Sequence, residues 1–447
     1  MINDKTTLTD LSIFPSDGGA GVFGLLDHAT SQAGRDALKK HIQHPPDTFE
    51  KLQEVQDVVI FWSNHLDLWP RIILNGTLVM LDKFFDSADT VSAPPAGINL
   101  LLNSWFQKIL NKQEYFLTQF SLSHLSDFLK GCMQLAEIAE MPGVPPLLKR
   151  ELQTIKEELQ HRLTGSLTGI TKQSKYTDLM QLHYQARREM KSVVYRLVAS
   201  YARLDAWRSM AVATKANGWV FPQLLPPMPV CIDAEGLYHP LLKSPVSYNI
   251  AFEHGRNFLL LTGANMSGKT TFMRALGVSA LLAHLGMGVP ATSFRTSFLQ
   301  GIITNMQVED NILRGESYFF AEVQRMKQTA EKILKREPHL VLMDELFKGT
   351  NVHDAYECTR AVLDGLLHHP DHLMILSTHL YEVAQQFNAG GNRDKEMLFS
   401  YFVTTMTNEG GYQFTYQLKE GISDDRIGYR ILQKEGVIDL LNRNNAR

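Results

Sequence analysis

Apolar residues recur at steps of three and four through the first half of the chain, which is the spacing of one helical face. Leu25, Leu26, Ala29, Ala33, Ala37, Leu38 and Ile42 follow it from Phe23 onward, and Pro45-Pro46 stops it. A second helix is predicted from near Asp47, with Leu52, Val55, Val58, Val59 and Phe61-Trp62 turned inward. Residues 1 to about 20 end in Pro15, Gly18 and Gly19 and read as a lead-in segment without an element of its own. Residues 85–100, with Pro94, Pro95 and Gly97, read as a connection. Helical texture returns from Leu100 to about Ala139 and is interrupted by Pro142, Pro145 and Pro146. Beyond Leu147 the chain is nearly free of proline and poor in glycine as far as Asn217-Gly218. There Met190, Val194, Leu197, Tyr201 and Leu204 alternate steps of four and three, predicting a long helix packed against another, with Gly218 as its left-handed cap. Trp62, Trp69, Phe84 and Trp105 stand among apolar residues without interleaved positive charge, so they are assigned to core rather than to a base-stacking platform.

The texture changes after Pro222, Pro226, Pro227 and Pro229, which mark a domain boundary near residue 225. From there to the C-terminus short apolar runs alternate with helical patterns. Strands are predicted at Phe258–Leu261, near Val289, at Ile302-Ile303, at His339–Met343 and at Leu373–Ser377, with helices from Thr270 to about Leu285 and from about Tyr318 to Leu334. Leu398–Thr405 and Tyr412–Leu418, joined across Asn408-Glu409-Gly410-Gly411, read as a hairpin. The fold class is therefore multidomain, an all-helical part followed by an α/β part, divided into residues 1–20, 21–225 and 226–447. No internal repeat or low-complexity tract is present.

Composition narrows the function. A chain of 447 residues has room for two or three domains, and a net charge of −3 provides no global attraction to nucleic acid or to an anionic membrane. Any such binding must come from a local patch. Arg187, Arg188, Lys191, Arg196, Arg203 and Arg208 outnumber Glu189 and Asp205 on the outer face of the long helix, and both a solvated face and a phosphate-tracking surface fit them. Cys132, Cys231 and Cys358 follow neither disulfide nor zinc spacing. The N-terminus shows no leader pattern and no apolar run reaches membrane-spanning length, so a soluble cytoplasmic protein is expected.

The chemistry begins where the Phe258 run ends. Gly263–Thr270 fits G-x-x-x-x-G-K-[ST] between a strand and a helix, the pattern of a phosphate-binding loop. Its glycines let backbone N–H groups turn inward around a polyphosphate at the positive end of the helix, with Lys269 for the β and γ phosphates and the Thr270 hydroxyl for Mg²⁺. The run LVLMDEL at residues 340–346 places Asp344 and Glu345 at the tip of a buried strand able to sit beside this loop. Asp344 suits Mg²⁺ and Glu345 suits the general base that polarises water. STHL at 377–380 adds His379 after another strand, and this order of motifs is that of an ABC-type ATPase, whose histidine meets the γ-phosphate. GESYFFAEVQRM at 315–326 is a glycine-serine turn opening a helix, of the kind that serves the nucleotide of the opposite subunit, so the sites are completed in a dimer.

Across nearly its whole length the chain resembles the MutS family of DNA mismatch repair ATPases. The resemblance rests on TGANMSGKTTFMR, GESYFFAE, LVLMDELFKGTNVHDA, STHL and the tail GISDDRIGYRILQKEGV, together with the N-terminal VFGLLDHATSQAGRDALKKHIQHPP, which is similar to the start of the family's helical core and lever. It implies ATP and Mg²⁺ as cofactors, with the loop Gly263, Ala264, Asn265, Met266, Ser267, Gly268, Lys269, Thr270 and Thr271 on the nucleotide. Thr270 and Asp344 then bind Mg²⁺, Glu345 and His379 are catalytic, and Ser317 reaches across a homodimer or a MutS-like heterodimer. Asp354 matches the acidic residue after the Gly349-Thr350 turn, and Tyr248 lies where the family stacks an aromatic on adenine. DNA is the implied partner, with Arg187, Arg188, Lys191 and Arg196 as candidate contacts.

The chain also departs from the family pattern. Ala264 and Ser267 replace the usual proline and first glycine of the loop, and Glu316 and Tyr318 replace arginine and threonine beside Ser317. Lever-like sequence begins almost at residue 21, which leads to the expectation that mismatch-reading and connector domains are missing, the lever is short and the C-terminal dimerisation helices are incomplete. Phe320-Ala321-Glu322 fits the Phe-x-Glu wedge pattern but falls inside the ATPase. The expected function is an ATPase coupled to DNA binding in repair or recombination, without intrinsic mismatch reading. The alternative is an ATP-driven module that grips another protein and no longer contacts DNA. A kinase or transferase fits worst, because Glu345 is suited to activating water.

Overall fold

In the computed structural model the described residues are 4–14, 21–86, 112–171, 174–306, 318–335, 337–389, 397–406, 412–423 and 436–442. The chain forms two units, one of Met1–Leu25, Gln43–Gln53 and Ala216–Arg447, the other of Leu26–Ile42 and Glu54–Lys215.

Among the described residues the first unit contains ten strands: β1 (Gln223–Leu225), β2 (Ile232–Leu237), β3 (Tyr248–Phe252), β4 (Phe258–Thr262), β5 (Ser293–Ser297), β6 (Gly301–Asn305), β7 (His339–Asp344), β8 (Leu373–Ser377), β9 (Met397–Met406) and β10 (Tyr412–Glu420). They form a six-stranded sheet in the order β10-β9-β4-β8-β7-β6 and a four-stranded one in the order β1-β5-β2-β3. In the larger sheet β9, β4, β8, β7 and β6 run parallel, and β10 pairs antiparallel with β9 at the edge. Both sheets are thus mixed. All residues of β4 and β8 are buried, because a parallel strand covered on both faces reads as a continuous apolar run. Alternate side chains serve opposite faces. Phe258, Leu260, Val341, Met343, Met374 and Leu376 share one cluster with Met326, Ile333, Leu363 and Val383 from helices Tyr318–Ile333, Val352–Leu366 and Tyr381–Ala389. Against the other face lies helix Lys269–His284, so close at Gly277 that a Cβ there would stand 2.9 Å from Leu342 Cδ1.

The predicted strands at 258, 302, 339, 373 and the hairpin arms are present, and the turn at 408–411 lies outside the described residues. Val289 is not in a strand; it makes a single antiparallel bridge to Val220, and the strand of that region is β5. Strand β7 does not lie directly beside β4, because β8 is inserted between them. Strands β1, β2, β3 and β5 were not predicted, although Tyr248, Ile250 and Phe252 alternate with exposed residues in the period of a half-buried strand.

The lead-in segment does hold an element. Asp4 caps helix Lys5–Asp10 by accepting Thr7 N–H at 2.7 Å, and the Thr7 hydroxyl donates to Ile302 O of β6 at 3.2 Å.

In the second unit every described element is a helix. Trp62, Trp69, Phe128 and Tyr201 are buried at its centre, with ring centroids 5.4 Å apart for Trp62–Trp69 and 5.2 Å for Trp69–Tyr201. Phe84 is buried as expected, and Trp105 lies outside the described residues. Met190, Val194, Leu197, Tyr201 and Leu204 are all buried, and Gly218 has φ +63 just past helix Lys191–Ala216. The region before it is broken into helices Pro146–Glu158, Thr164–Thr168 and Tyr176–Glu189 rather than continuous, and helix Asn75–Asp86 was not predicted. The helix predicted from Phe23 to Ile42 is broken into Phe23–Leu26 and Gln32–Gln43, because buried Asp205 takes the N–H groups of Thr30 and Ser31 at 3.0 Å each. Among the described residues no helix is long and apolar enough to cross a membrane.

Candidate nucleotide-binding site

Strand β4 ends at Thr262, and the adjoining loop turns through Gly263 at φ +138, Met266 at φ +67 and Gly268 at φ +112. The backbone angle at Gly268 demands glycine, and a Cβ there would also press on the Tyr416 ring, 3.3 Å from Cδ1. Gly268 is also the N-cap of helix Lys269–His284 and offers no side chain to its first N–H groups, which remain available to an anion. Ser267 Oγ is buried without a hydrogen-bond partner among the described residues, a further donor inside the loop.

The Lys269 ammonium, 5% exposed, donates to Gly263 O at 2.7 Å and Ala264 O at 3.0 Å and stands 3.6 Å from Glu345 Oε1. Burial pulls its pKa down, and the carboxylates of Glu345 and Asp344 oppose that only in part. The Thr270 hydroxyl donates to Asp344 Oδ2 at 2.7 Å, and the Ser377 hydroxyl holds Asp344 Oδ1. The tip of β7 therefore reaches the loop across β8, whose Ser377 O also accepts Glu345 N–H at 3.0 Å, while Thr378 N–H donates to Leu261 O at 2.9 Å.

Glu345 has φ +50 and Phe347 φ +61. A left-handed non-glycine residue costs roughly 1–2 kcal/mol, and the turn holds two of them beside the cleft. Burial pushes the Glu345 carboxyl up, but the Lys348 ammonium at 2.9 Å, with Lys269 and His379, outweighs this and leaves it below the ordinary carboxylate range. His379 Nδ1 stands 3.9 Å from Glu345 Oε2, too far for a hydrogen bond, and its side chain is half exposed.

These groups line a cleft of about 620 Å³ that contains Asn265, Met266, Ser267, Gly268, Lys269, Thr270, Thr271, Asp344, Glu345 and Lys348. Gly263, Ala264 and His379 are not part of its wall. Tyr248 reaches the cleft but is 4% exposed and packed edge-on to Phe272 and Phe402, so it serves as core. Tyr416 was missed. It is 44% exposed, lies where the β9–β10 register shifts and flanks Gly268. Its only sequence signal is an aromatic in a polar edge strand. Lys348 was missed as well, although its position three residues after Glu345 could have indicated it.

Ser317 lies outside the described residues. Asp354 sits in the first turn of helix Val352–Leu366, where Asn351 caps its N–H at 3.0 Å. The candidate DNA contacts lie in the helical unit, each with a local partner. Arg196 grips Glu158 at 2.5 and 2.8 Å, Lys191 meets Asp86 at 3.3 Å, Arg188 donates to the Tyr184 hydroxyl, and Arg187 lies 6.0 Å over Phe84. Arg203 likewise pairs with Glu151 at 2.7 Å.

Residues 259–443 match the family model described as MutS domain V. Among curated proteins the chain is similar to "DNA mismatch repair protein msh3" of Aspergillus oryzae, 30% identical over 241 residues, covering 52% of this chain and 21% of that one. It is also similar to "DNA mismatch repair protein MutS" of Lactococcus lactis subsp. cremoris, 22% identical over 317 residues, or 65% of this chain and 36% of that one. A third relative, "DNA mismatch repair protein MutS" of Shouchella clausii, is 27% identical over 249 residues, or 54% and 27%. The matched part spans between about a fifth and about a third of the length of these relatives. The segment that carries the Gly263–Thr270 loop, Asp344 and Glu345 is thus the one that is similar to MutS domain V.

Proposed function

We propose that the unit with the six-stranded sheet binds and hydrolyses Mg-ATP as an ABC-type ATPase, in a site completed by Ser317 of a second copy, and that the helical unit couples this cycle to DNA. The observation that carries the reading is the convergence of Lys269, Thr270, Asp344 and Glu345 on one cleft from the ends of β4 and β7. The loop N–H groups and Lys269 bind the phosphates. The donor set fits Mg²⁺: Thr270 Oγ1 and Asp344 Oδ2 supply two hard oxygens, and Mg²⁺ takes few protein ligands beside phosphate and water. Thr270 and Asp344 would hold it, and it would neutralise charge on the phosphate oxygens.

Glu345 acts as general base. Lys348 keeps its carboxyl ionised, Lys269 and the Ser377 carbonyl fix its place, and the proton it accepts comes from the attacking water. Tyr416 offers the exposed flat surface for a base at the mouth of the loop. Glu345→Gln is expected to bind ATP normally while turnover falls by about 100-fold or more; unchanged turnover would remove Glu345 as base. Retention of the ATP-bound variant as a dimer, lost on Ser317→Ala, tests the shared site.

DNA as partner is supported by the family and by the relatives named as mismatch repair proteins. The Phe-x-Glu triplet offers no wedge, since Glu322 is 4% exposed within a helix. Binding of matched, mismatched and four-way-junction DNA across a salt series measures this: salt-sensitive binding without mismatch preference is expected. A second reading, a protein-gripping ATPase, is favoured by one observation. Three basic residues of the long helix, Lys191, Arg196 and Arg203, are already paired with Asp86, Glu158 and Glu151. Absence of salt-sensitive binding to any of the DNAs would select it.

A further inference from the structure

Helix Tyr318–Ile333 packs onto the turn just after β7 through two contacts. Phe319 meets Phe347, ring centroids 5.9 Å apart, within the apolar cluster that also holds Met326 and Leu346. One turn further along the helix, Glu322 accepts Lys348 N–H at Oε1 and Gly349 N–H at Oε2, both at 3.3 Å. That side chain is 4% exposed, and burial raises its pKa despite the N–H groups it receives. A leucine or methionine would fill the same space without the desolvation cost of a carboxylate. What the carboxylate adds is a grip on two backbone donors.

These donors belong to the turn in which Glu345 and Phe347 adopt left-handed angles without being glycine. Such conformations persist only where the surroundings over-determine them. The bond from Glu345 N–H to Ser377 O holds the near side of the turn, Asn351 opens the next helix beyond it, and Glu322 holds the stretch between.

We propose that Glu322 is a positioning residue for hydrolysis, holding the Glu345–Gly349 turn so that the Glu345 carboxylate faces the cleft and tying that turn to the Tyr318–Ile333 helix. The inference rests on the hydrolase function proposed for this site and deepens it. A shift of this helix moves the general base, so the position of the helix regulates water activation without touching the nucleotide.

Glu322→Gln is the informative variant. It keeps volume and one acceptor but turns an NH₂ group toward one of the two N–H donors, so at least one bond is lost. The expected result is a kcat for ATP lowered by roughly 10- to 100-fold, as misplacement of a base by about 1 Å produces, with KM and the affinity for a fluorescent ATP analogue unchanged. Glu322→Asp should not rescue kcat, since its shorter side chain cannot reach both donors. Combined with Glu345→Gln, the variant should cause no further loss, because both act through one group. Amide hydrogen exchange provides a readout that needs no turnover: Lys348 and Gly349 should exchange faster in Glu322→Gln while β7 stays protected. Wild-type kcat in that variant, equal loss of kcat and nucleotide affinity, or unchanged exchange at both amides would each overturn the proposal. A wild-type chain that binds ATP without hydrolysing it would overturn the hydrolase function instead, and the exchange measurement would still decide whether Glu322 holds the turn.

Discussion

Lys269 is buried and its ammonium is shared among two carbonyls of its own loop and the Glu345 carboxylate. Burying a charge is unfavourable unless it is paired and hydrogen-bonded, and its lowered pKa shows that the pairing does not fully compensate. On the function proposed above, its place at the centre of the loop serves phosphate binding more than stability. Lys269→Ala should lower ATP affinity by about 10-fold or more, the worth of a charge-assisted hydrogen bond, while the melting temperature moves little. A large drop in melting temperature at retained affinity would show the opposite division of labour. Equilibrium dialysis with labelled ATP and a thermal melt measure the two quantities separately.

Among the elements, the junction between helix Lys191–Ala216 and the start of helix Gln32–Gln43 depends on one side chain. Asp205, fully buried, accepts Thr30 N–H, Ser31 N–H and both of their hydroxyls, at 2.8–3.1 Å. Removing the acceptor leaves buried donors without partners, which costs more than the bonds themselves contribute. Asp205→Ala should destabilise the protein by roughly 3 kcal/mol or more, and Asp205→Asn by less, because its carbonyl still accepts. Urea unfolding followed by circular dichroism measures both; equal losses would mean that shape rather than hydrogen bonding holds the junction.

For the molecule as a whole, buried histidines set the response to acid. Burial pulls His239, His284 and His372 down to about 4. The geometry of His284 explains why: with Nδ1 on Ala280 O at 2.7 Å, its Nε2 must accept Leu299 N–H at 2.7 Å, and a proton there would face a donor. In the unfolded chain these groups titrate near their ordinary value of 6.5. Between that pH and about 4 the unfolded state binds more protons than the folded one, so stability falls as pH falls through this window and is fully present above it. Melting temperatures taken between pH 7.5 and 4.5 should decline, and a flat profile would contradict the buried neutral state.

What the amino-acid order determined by itself was local. The phosphate loop, the Asp344-Glu345 pair, the buried parallel strands and the heptad-like helix each arise from spacing over a few residues, because glycine tolerance, strand burial and helical period are properties of short segments. Tertiary structure decided what depends on contacts between distant segments. Asp205 ends a predicted helix from 174 residues away, helix Lys5–Asp10 finds its partner in β6, and β8 enters between the strands whose tips share a site. The same holds for Tyr248, which is core, and for Glu322 and Tyr416, which meet the Glu345–Gly349 turn and the Gly263–Thr270 loop only once the chain is folded. A charged or aromatic residue shows its type in the sequence, but its burial, its partners and the field around it are set by whichever elements pack against it.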